Sequence, residues 1–337
     1  MVPEDELEER MVAASQKTKT PVALFVYNRP AHVRFALESL SRCRRLDECF
    51  VRIYCDGPKH AGEASAVAAA RETAREWAAR FNAEVVERDS NLGLARSVVS
   101  GVSELCESHG RVIVIEDDFA LSPAFLDYML SALDSYADEP NVYQISGYMF
   151  KIRHAPKPDA FFLPLTTTWG WATWSRAWRI FDWQPAGAEE LLRDPEVRHR
   201  FNLNNAYPYA EMLESRLNGE NDSWGILFWW AVFQAGGLVL HPRKSLVWNG
   251  GFDESGTHCG DQVWSGQSLS EIADDAWSTS SFVFPDRVRV DDAAFGKVFR
   301  FLKSEQSEGN LLQRIRRRIS QRRGRKETQR IHANDAP

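Results

Sequence analysis

The sequence predicts an α/β protein with a doubly wound, mostly parallel mixed sheet and helices on both of its faces. Two features of residues 21–150 support this prediction: apolar runs of strand length alternate with helical segments, and each run ends in polar residues. Continuous apolar runs are typical of parallel strands, because helices cover both faces of such a sheet. With 337 residues, 44% of them hydrophobic, the chain is long enough to bury a core of this kind.

The alternation is regular from residue 21 to residue 146. Strands are predicted at 21–27, 50–55, 83–87, 111–115 and 142–146. Helices are predicted at 31–40, 63–80, 94–108 and 122–136, the last beginning with a serine cap and a first-turn proline, Ser122 and Pro123. Because the strands are separated by helices, we expect them to run parallel within one sheet.

The second half of the chain has shorter and less regular signals. Residues 151–300 are rich in Trp, Gly, Asn and Asp, and we expect loops and short elements that complete a site on the same sheet. The uncharged apolar run 225–240 is too short and too interrupted by glycine for a membrane span, so it predicts a buried helix followed by a turn. We therefore divide the chain into a polar leader (1–20), one domain (21–300) and a basic tail (301–337).

The charge distribution limits the classes of partner. The net charge is −6, although residues 311–330 contain nine basic residues and one acidic residue. The acidic body argues against nucleic acid as a partner. In the tail, Leu312, Ile315 and Ile319 share one helical stripe among arginines, which suits an anionic membrane surface but equally a solvated basic end.

The N-terminus and the cysteines indicate a compartment. The first ten residues are acidic and have no apolar core, so they do not resemble a signal peptide. The five cysteines form no CxxC pair, which favours buried, reduced thiols. We expect a cytoplasmic protein whose basic tail could contact the inner face of the cell membrane.

Three adjacent carboxylates, Glu116, Asp117 and Asp118, directly follow the fourth predicted strand. Ligands bind at the carboxyl ends of the strands in doubly wound sheets, and three neighbouring carboxylates repel one another unless a cation is present. Oxygen ligands suit Mg²⁺ or Mn²⁺, particularly when a diphosphate supplies further oxygens. The alternatives are a solvated acidic turn and an acidic cluster at a helix N-terminus. No glycine-rich phosphate loop is present, which argues against dehydrogenases and P-loop enzymes.

Several segments resemble the successive motifs of family-2-type glycosyltransferases of the GT-A fold: 22–29, 54–57, 91–94 and 115–118. The segments 116–125, 169–178 and 222–224 are similar to the N-acetylglucosaminyltransferase I family, and 169–174 and 251–258 resemble bacterial sugar-transferase relatives. The resemblance covers about residues 21–265. It implies that a sugar moves from a nucleotide-diphosphate donor, a UDP-sugar, to a glycan or lipid-linked acceptor, with Mn²⁺ or Mg²⁺ as cofactor. Residues 21–150 would be the nucleotide-sugar-binding half and 151–300 the acceptor half.

The resemblance also implies roles for individual residues. Asp118 would bind the metal, Asp117 would contact the ribose, and Glu116 would shape the donor pocket. Asp56 would accept a hydrogen bond from the uracil edge. Arg29 would lie near the base or the phosphates.

Further residues complete the predicted site. Asn28 belongs to the same strand end as Arg29 and is counted with the donor-binding residues. Arg96, at the start of a helix, could face phosphate or solvent. His258 could touch the diphosphate or the metal, although a lone histidine is more often structural. The tryptophans at 169, 171, 174 and 178 could form an acceptor platform or part of the core, and we expect most of them to be core.

The resemblance assigns the general base to Asp222. The family has a second aspartate where this chain has Ser223, so Glu220 and Glu254 stay open as alternatives. A metal stabilises a leaving diphosphate without a proton donor, and a carboxylate takes the proton of the acceptor hydroxyl. A base opposite the leaving group would invert the anomeric centre.

Two other functions compete with this one. A sugar-1-phosphate nucleotidylyltransferase would need a glycine-rich basic loop after the first strand, where this chain has Asn28, Arg29 and Pro30. A non-catalytic carbohydrate-binding protein would not need the three carboxylates. A glycosyltransferase releases a nucleoside diphosphate, whereas a nucleotidylyltransferase releases pyrophosphate, so the released product distinguishes these two enzymes.

Overall fold

The protein is represented by a computed structural model that describes residues 19–152, 158–250 and 281–306. Its strands are β1 (Thr20–Val26), β2 (Cys49–Cys55), β3 (Glu84–Glu87), β4 (Arg111–Glu116), β5 (Phe119–Leu121), β6 (Val142–Ser146), β7 (Ala160–Leu163), β8 (Trp171–Trp174), β9 (Leu238–Pro242) and β10 (Val247–Asn249). Eight of them form one mixed sheet in the order β3-β2-β1-β4-β8-β6-β9-β7, and β10 pairs with β5.

The two halves of the sheet differ in strand direction. From β3 through β2 and β1 to β4, every pairing is parallel. Strand β8 then pairs antiparallel with both β4 and β6, β6 is parallel to β9, and β9 is antiparallel to β7. The chain is therefore an α/β protein with a mostly parallel mixed sheet, as the sequence predicted.

The helices are α1 (Pro30–Ser41), α2 (Ala64–Phe81), α3 (Leu94–His109), α4 (Phe125–Ser135), α5 (Ser175–Trp178), α6 (Ala188–Leu191), α7 (Pro195–Phe201), α8 (Tyr209–Leu217), α9 (Trp224–Gln234) and α10 (292–306). They cover both faces of the sheet. Alternate residues of a strand point to opposite faces, so each strand can contribute side chains to a core on either side. In β1, Val22 and Leu24 belong to a core shared with α1, α2 and α4, whereas Ala23 and Phe25 belong to a core shared with α3, α8, α9 and α10.

Most of the elements predicted from sequence are present with ends shifted by a few residues. The run 225–240 contains most of helix α9 and a glycine turn, as expected, and then enters strand β9, which was not predicted. One start is wrong: α4 begins at Phe125, after a turn in which the Ser122 hydroxyl accepts a hydrogen bond from the Ala124 N–H over 3.3 Å. Pro123 lies in that turn, where its carbonyl accepts a hydrogen bond from Arg44.

Two further predictions concern the cysteines and the chain ends. Cys43, Cys49, Cys55 and Cys106 are free and buried, as expected, and Cys259 lies outside the described residues. The polar leader and residues 307–337 of the basic tail also lie outside them, so the membrane contact stays a prediction. Among the described helices, none combines the length and the apolar character required to cross a bilayer.

Helix α3 approaches the sheet closely at Gly101. The rings of Phe25 and Tyr54 stack on neighbouring strands with their centroids 5.2 Å apart. A Cβ atom at Gly101 would lie 2.9 Å from the Phe25 ring and 3.0 Å from the Tyr54 ring. The absence of a side chain therefore sets the distance between α3 and the strands that carry the site.

We expect Gly101→Ala to destabilise the protein, although alanine normally stabilises a helix interior by about 1 kcal/mol relative to glycine. The overpacked rings should cost about 1–3 kcal/mol. Urea unfolding followed by circular dichroism measures the change in free energy. Glu107→Ala, on the exposed side of the same helix, is the control and should change it little. Equal or higher stability for Gly101→Ala would contradict the close contact.

Candidate functional site

The three carboxylates lie at the carboxyl end of β4, near the middle of the sheet. Glu116 is the last residue of β4, and Asp117 and Asp118 form the turn that leads to β5. Strand β4 lies between β1 and β8, so both neighbours bring chain segments to this end. Asp117 is buried, and the Asp118 side chain is only 12% exposed. The acidic cluster, as we call Glu116, Asp117 and Asp118, is therefore largely withdrawn from solvent.

Arg29 connects two members of the acidic cluster. Its Nη2 atom lies 2.6 Å from Asp117 Oδ1 and 3.1 Å from Asp118 Oδ2. The arginine follows β1 and directly precedes Pro30, the first residue of α1, so the start of the helix fixes its backbone. The backbone N–H of Tyr27 also donates to Asp117 Oδ2, over 3.4 Å. The sequence prediction that Arg29 and the carboxylates share one site is thus consistent with the geometry.

The environment of the cluster disfavours its negative charges. Burial, followed by the charges of Asp118 and Asp117, raises the pKa of Glu116 well above its ordinary value. Burial also raises the pKa of Asp117 to about 6, against the opposing effect of Arg29. Protons or the one guanidinium of Arg29 neutralise only part of the negative charge of these carboxylates. The cluster is therefore a favourable place for a divalent cation.

One oxygen of Asp118 is available for such a cation. Asp118 Oδ1 is buried and has no hydrogen-bond partner among the described residues. Within these residues, no group of three Asp, Glu, His or Cys side chains is arranged to hold a metal ion. For a metal at Asp118, water and a bound diphosphate can supply further ligands, as they commonly do for Mg²⁺.

Strand β10 brings a second chain segment beside Asp118. It pairs antiparallel with β5, with Asn249 opposite Phe119. The N–H of Gly250 donates to the backbone carbonyl of Asp118 over 2.8 Å. Glu254 and His258, two of the residues considered from the sequence, lie in 251–280, outside the described residues.

Asp56, at the end of β2, joins two loops. Its Oδ1 accepts hydrogen bonds from the N–H groups of Gly57 and Leu92, each over 2.9 Å. Its Oδ2 accepts from the Gly93 N–H over 2.9 Å and from the Asn91 side chain over 3.1 Å. A carboxylate has about four acceptor positions, so these four donors fill them. In this conformation, a uracil contact would require one donor to leave, and that contact stays a prediction.

The loop held by Asp56 also packs very closely against Gly57. A Cβ atom at Gly57 would lie 2.5 Å from the backbone carbon of Ser90. The Asn91 amide donates to the Gly57 carbonyl over 2.8 Å. The carboxylate and the glycine together fix the loop before α3 against the end of β2.

Asn28 and Arg96 have no described contact with the acidic cluster. Asn28 is half-buried between Tyr27 and Arg29. Arg96 is exposed in the first turn of α3, where its side chain lines a cleft with Trp183 and Arg216. The sequence left open whether Arg96 faces phosphate or solvent, and its role as a donor-binding residue stays a prediction.

Asp222 is exposed and lies two residues before α9. Its neighbour Ser223 is the N-cap of this helix, and the Ser223 hydroxyl accepts a hydrogen bond from the Ile226 N–H over 3.4 Å. Ser223, and not Asp222, is therefore the residue that caps α9. A Cβ atom at Gly225 would lie 2.9 Å from the Thr168 methyl group. Because residues 168–170 lead into β8, the partner of β4, this contact turns the start of α9 toward the end of the sheet that carries the cluster.

The tryptophans singled out in the sequence are mainly core. Trp171, Trp174 and Trp178 are at most 5% exposed, and the last two donate their indole N–H to Leu133 and Ser103. Trp169 is only half-buried and packs edge-on against Tyr148. The expectation that most of these tryptophans are core is therefore confirmed, because strand β8 is covered by helices on both faces.

The sequence prediction also missed residues that line the cleft beside Arg96. Trp183 is 37% exposed, although most of the other tryptophans are buried. Its polar, proline-containing context, with Asp182 before it and Gln184 and Pro185 after it, is the signal that could have indicated a surface position. Arg216 had no such signal, because its position on α8 depends on tertiary packing.

We expect Asp56→Asn to lower the stability of the protein, because an amide nitrogen would face donors that now meet an oxygen. A buried donor that is left without a partner lowers the free energy of unfolding by about 1–3 kcal/mol. Asp89→Asn, exposed in the same loop, is the control in parallel urea titrations. Unchanged stability in Asp56→Asn would show that the four hydrogen bonds do not hold the loop.

No protein-family model and no curated protein match the sequence. Solved structures with a similar arrangement include S. aureus TarS, at 14% identity and TM-score 0.38 over 68% of this chain but only 36% of TarS. Another is the mannosyltransferase PcManGT from Pyrobaculum calidifontis in complex with GDP-Man and Mn²⁺, at 13% identity and TM-score 0.35 over 68% of this chain and 81% of that one. A third is mouse xyloside xylosyltransferase 1, at 14% identity and TM-score 0.33, with 64% and 81% covered. At such TM-scores the likeness is partial, and no activity of this chain follows from it.

Proposed function

We propose that the protein is a metal-dependent glycosyltransferase of the GT-A type, which transfers a sugar from a nucleotide-diphosphate donor, a UDP-sugar, to a glycan or lipid-linked acceptor. The observation that carries the proposal is the acidic cluster: a buried Asp118 oxygen without a partner among the described residues, at the carboxyl end of a central parallel strand. Ligand sites of open α/β sheets lie at this end. The motif resemblance of the sequence supports the same assignment.

The residues of the cluster have distinct tasks in this proposal. Asp118, whose Oδ1 has no partner among the described residues, would hold Mn²⁺ or Mg²⁺, which would supply positive charge for the leaving diphosphate. Asp117, which contacts Arg29 and the Tyr27 N–H, accepts hydrogen bonds from the ribose hydroxyls in this proposal. Glu116 shapes the floor of the donor pocket. The hydrogen bonds of Asp56 hold the loop 91–93, which borders the same end of the sheet.

Asp222 is the proposed general base. It is exposed, so an acceptor hydroxyl can reach it, and it directly precedes the ordered cap at Ser223. A carboxylate on the far side of the sugar from the diphosphate accepts the hydroxyl proton as the new bond forms, which inverts the anomeric centre. Glu220 is exposed two residues earlier and is the alternative within the described part of this segment.

The nucleotidylyltransferase alternative fits the site less well. That reaction joins a sugar phosphate to a nucleoside triphosphate and favours a glycine-rich, basic loop around the triphosphate. After β1 this chain has Asn28, Arg29 and Pro30, and the arginine is engaged with Asp117 and Asp118. Incubation with UDP-sugars should release UDP, and pyrophosphate release from UTP and sugar phosphates would favour the alternative.

The metal role predicts that nucleotide binding depends on Asp118. We expect UDP to bind in the presence of Mn²⁺. In EDTA, or in Asp118→Asn, the binding free energy of UDP should weaken by about 2 kcal/mol or more, which is roughly 30-fold in Kd. Isothermal titration calorimetry with UDP, and with GDP in parallel, measures this. Asp138→Asn, exposed and distant in sequence, should behave as wild type. Equally tight UDP binding in EDTA would remove the metal from the proposal.

The base role predicts a loss of turnover without a loss of donor binding. We expect Asp222→Asn to lower kcat roughly 10²–10⁴-fold while its Kd for UDP in Mn²⁺ stays that of the wild type. UDP release from a panel of UDP-sugars and oligosaccharide acceptors gives the rate, with Glu220→Gln as the matched variant. Wild-type turnover in Asp222→Asn, with a collapse in Glu220→Gln, would move the base to Glu220.

A further inference from the structure

A cleft with a cavity volume of about 830 Å³ lies outside the acidic cluster. One wall is α3, and the others are the segment 183–189 and the end of α8. Its polar and aromatic lining includes Arg96, Ser100, Ser103, Trp183, Glu189 and Arg216. Its volume lies within the range of small-ligand sites, and its lining is more polar than that of most of them.

The α3 wall is one continuous face of the helix. Arg96, Ser100 and Ser103 are spaced by four and three residues, so they lie above one another over roughly 10 Å at 1.5 Å per residue. The helix begins immediately after the loop that Asp56 holds to the end of β2, and it packs on β1 and β4. Arg96 therefore marks the end of the cleft that opens at the same edge of the sheet as the acidic cluster.

Trp183 is a rigid aromatic surface in this cleft. Its ring meets Phe181 edge-on at 5.2 Å, and Phe181 stacks on the buried Trp178 at 4.9 Å. Trp178 is in turn fixed by the hydrogen bond of its indole N–H to Ser103 Oγ, over 2.9 Å. Because Phe181 packs against the Trp183 ring, the exposed part of that ring can contact a ligand at a low entropic cost.

The charges of the cleft favour an anion. The Arg216 guanidinium carbon lies 5.9 Å from the centre of the Trp183 ring, and Arg216 Nε is buried without a partner. In the described part of the chain, neither Arg96 nor Arg216 forms an ion pair, although Glu189 lines the same cleft. Arginines elsewhere on this surface are commonly paired with a carboxylate, as Arg52 is with Glu84.

We propose that this cleft binds an anionic saccharide, with a sugar ring stacked on Trp183 and its carboxylate or phosphate group held by Arg96 and Arg216. Aromatic faces suit the C–H surface of a pyranose, and guanidinium groups pair with both kinds of anion. The interpretation of this saccharide as the acceptor rests on the proposed transferase function, whereas its binding requires neither metal nor donor.

The experiment measures binding alone, by isothermal titration calorimetry in EDTA. The carboxylate probe is tetragalacturonate, its fully methyl-esterified form is the neutral control, and a phosphorylated oligomannoside is the phosphate probe. We expect at least one anionic probe to bind, and to lose about tenfold or more in affinity in Arg216→Gln and in Trp183→Ala. Trp183→Phe, which retains an aromatic ring, should lose less.

Matched variants separate the cleft from the catalytic site. Arg34→Gln removes an exposed arginine on α1 and should leave binding unchanged. Asp118→Asn should also bind the probe normally, even if it no longer binds UDP with Mn²⁺. No binding of either anionic probe, equal binding of the methyl ester, insensitivity to the cleft variants, or displacement of the probe by UDP would each overturn the proposal.

Discussion

The charge balance at the end of β4 is the constraint on which the site depends. Three carboxylates lie at the end of a buried strand, where burial raises the pKa of Glu116 and of Asp117. Arg29 is the countercharge that the chain itself supplies, with its guanidinium 2.6 Å from Asp117 and 3.1 Å from Asp118. Because it contacts two of the three, the cluster keeps its shape while retaining an attraction for a further cation.

The sheet order explains why residues far apart in the sequence meet at this place. Strand β1 lies between β2 and β4, so Arg29 reaches the cluster from one neighbouring strand while Asp56 holds the loop beyond the other. On the opposite side, β8 runs antiparallel to β4, and the segment before β8 contacts the start of α9. The parallel half thus supplies the proposed donor site, and the mixed half brings the segment of Asp222.

Sequence reasoning succeeded where the local pattern determines the structure. The apolar runs of β1, β2 and β4 end in polar residues, and those residues lie at one edge of the sheet. Where packing decides, it left alternatives open: core positions were expected for most of the run 169–178, but the spacing of its tryptophans does not say which of them the helices cover. The saturation of Asp56 by four donors and the position of Arg216 in the cleft likewise depend on contacts between distant segments.

The distribution of arginines connects the two sites. Arg29 is engaged by carboxylates, so a nucleotide diphosphate that approaches the acidic cluster meets more negative than positive charge until a divalent cation is bound. Donor binding should therefore be coupled to the metal. Arg96 and Arg216 face no such competition from an ion pair in the described residues, and an anion can bind there without a cation. One edge of the sheet can thus accommodate two anionic ligands by different means, with metal-mediated neutralisation at β4 and direct arginine contacts beside α3.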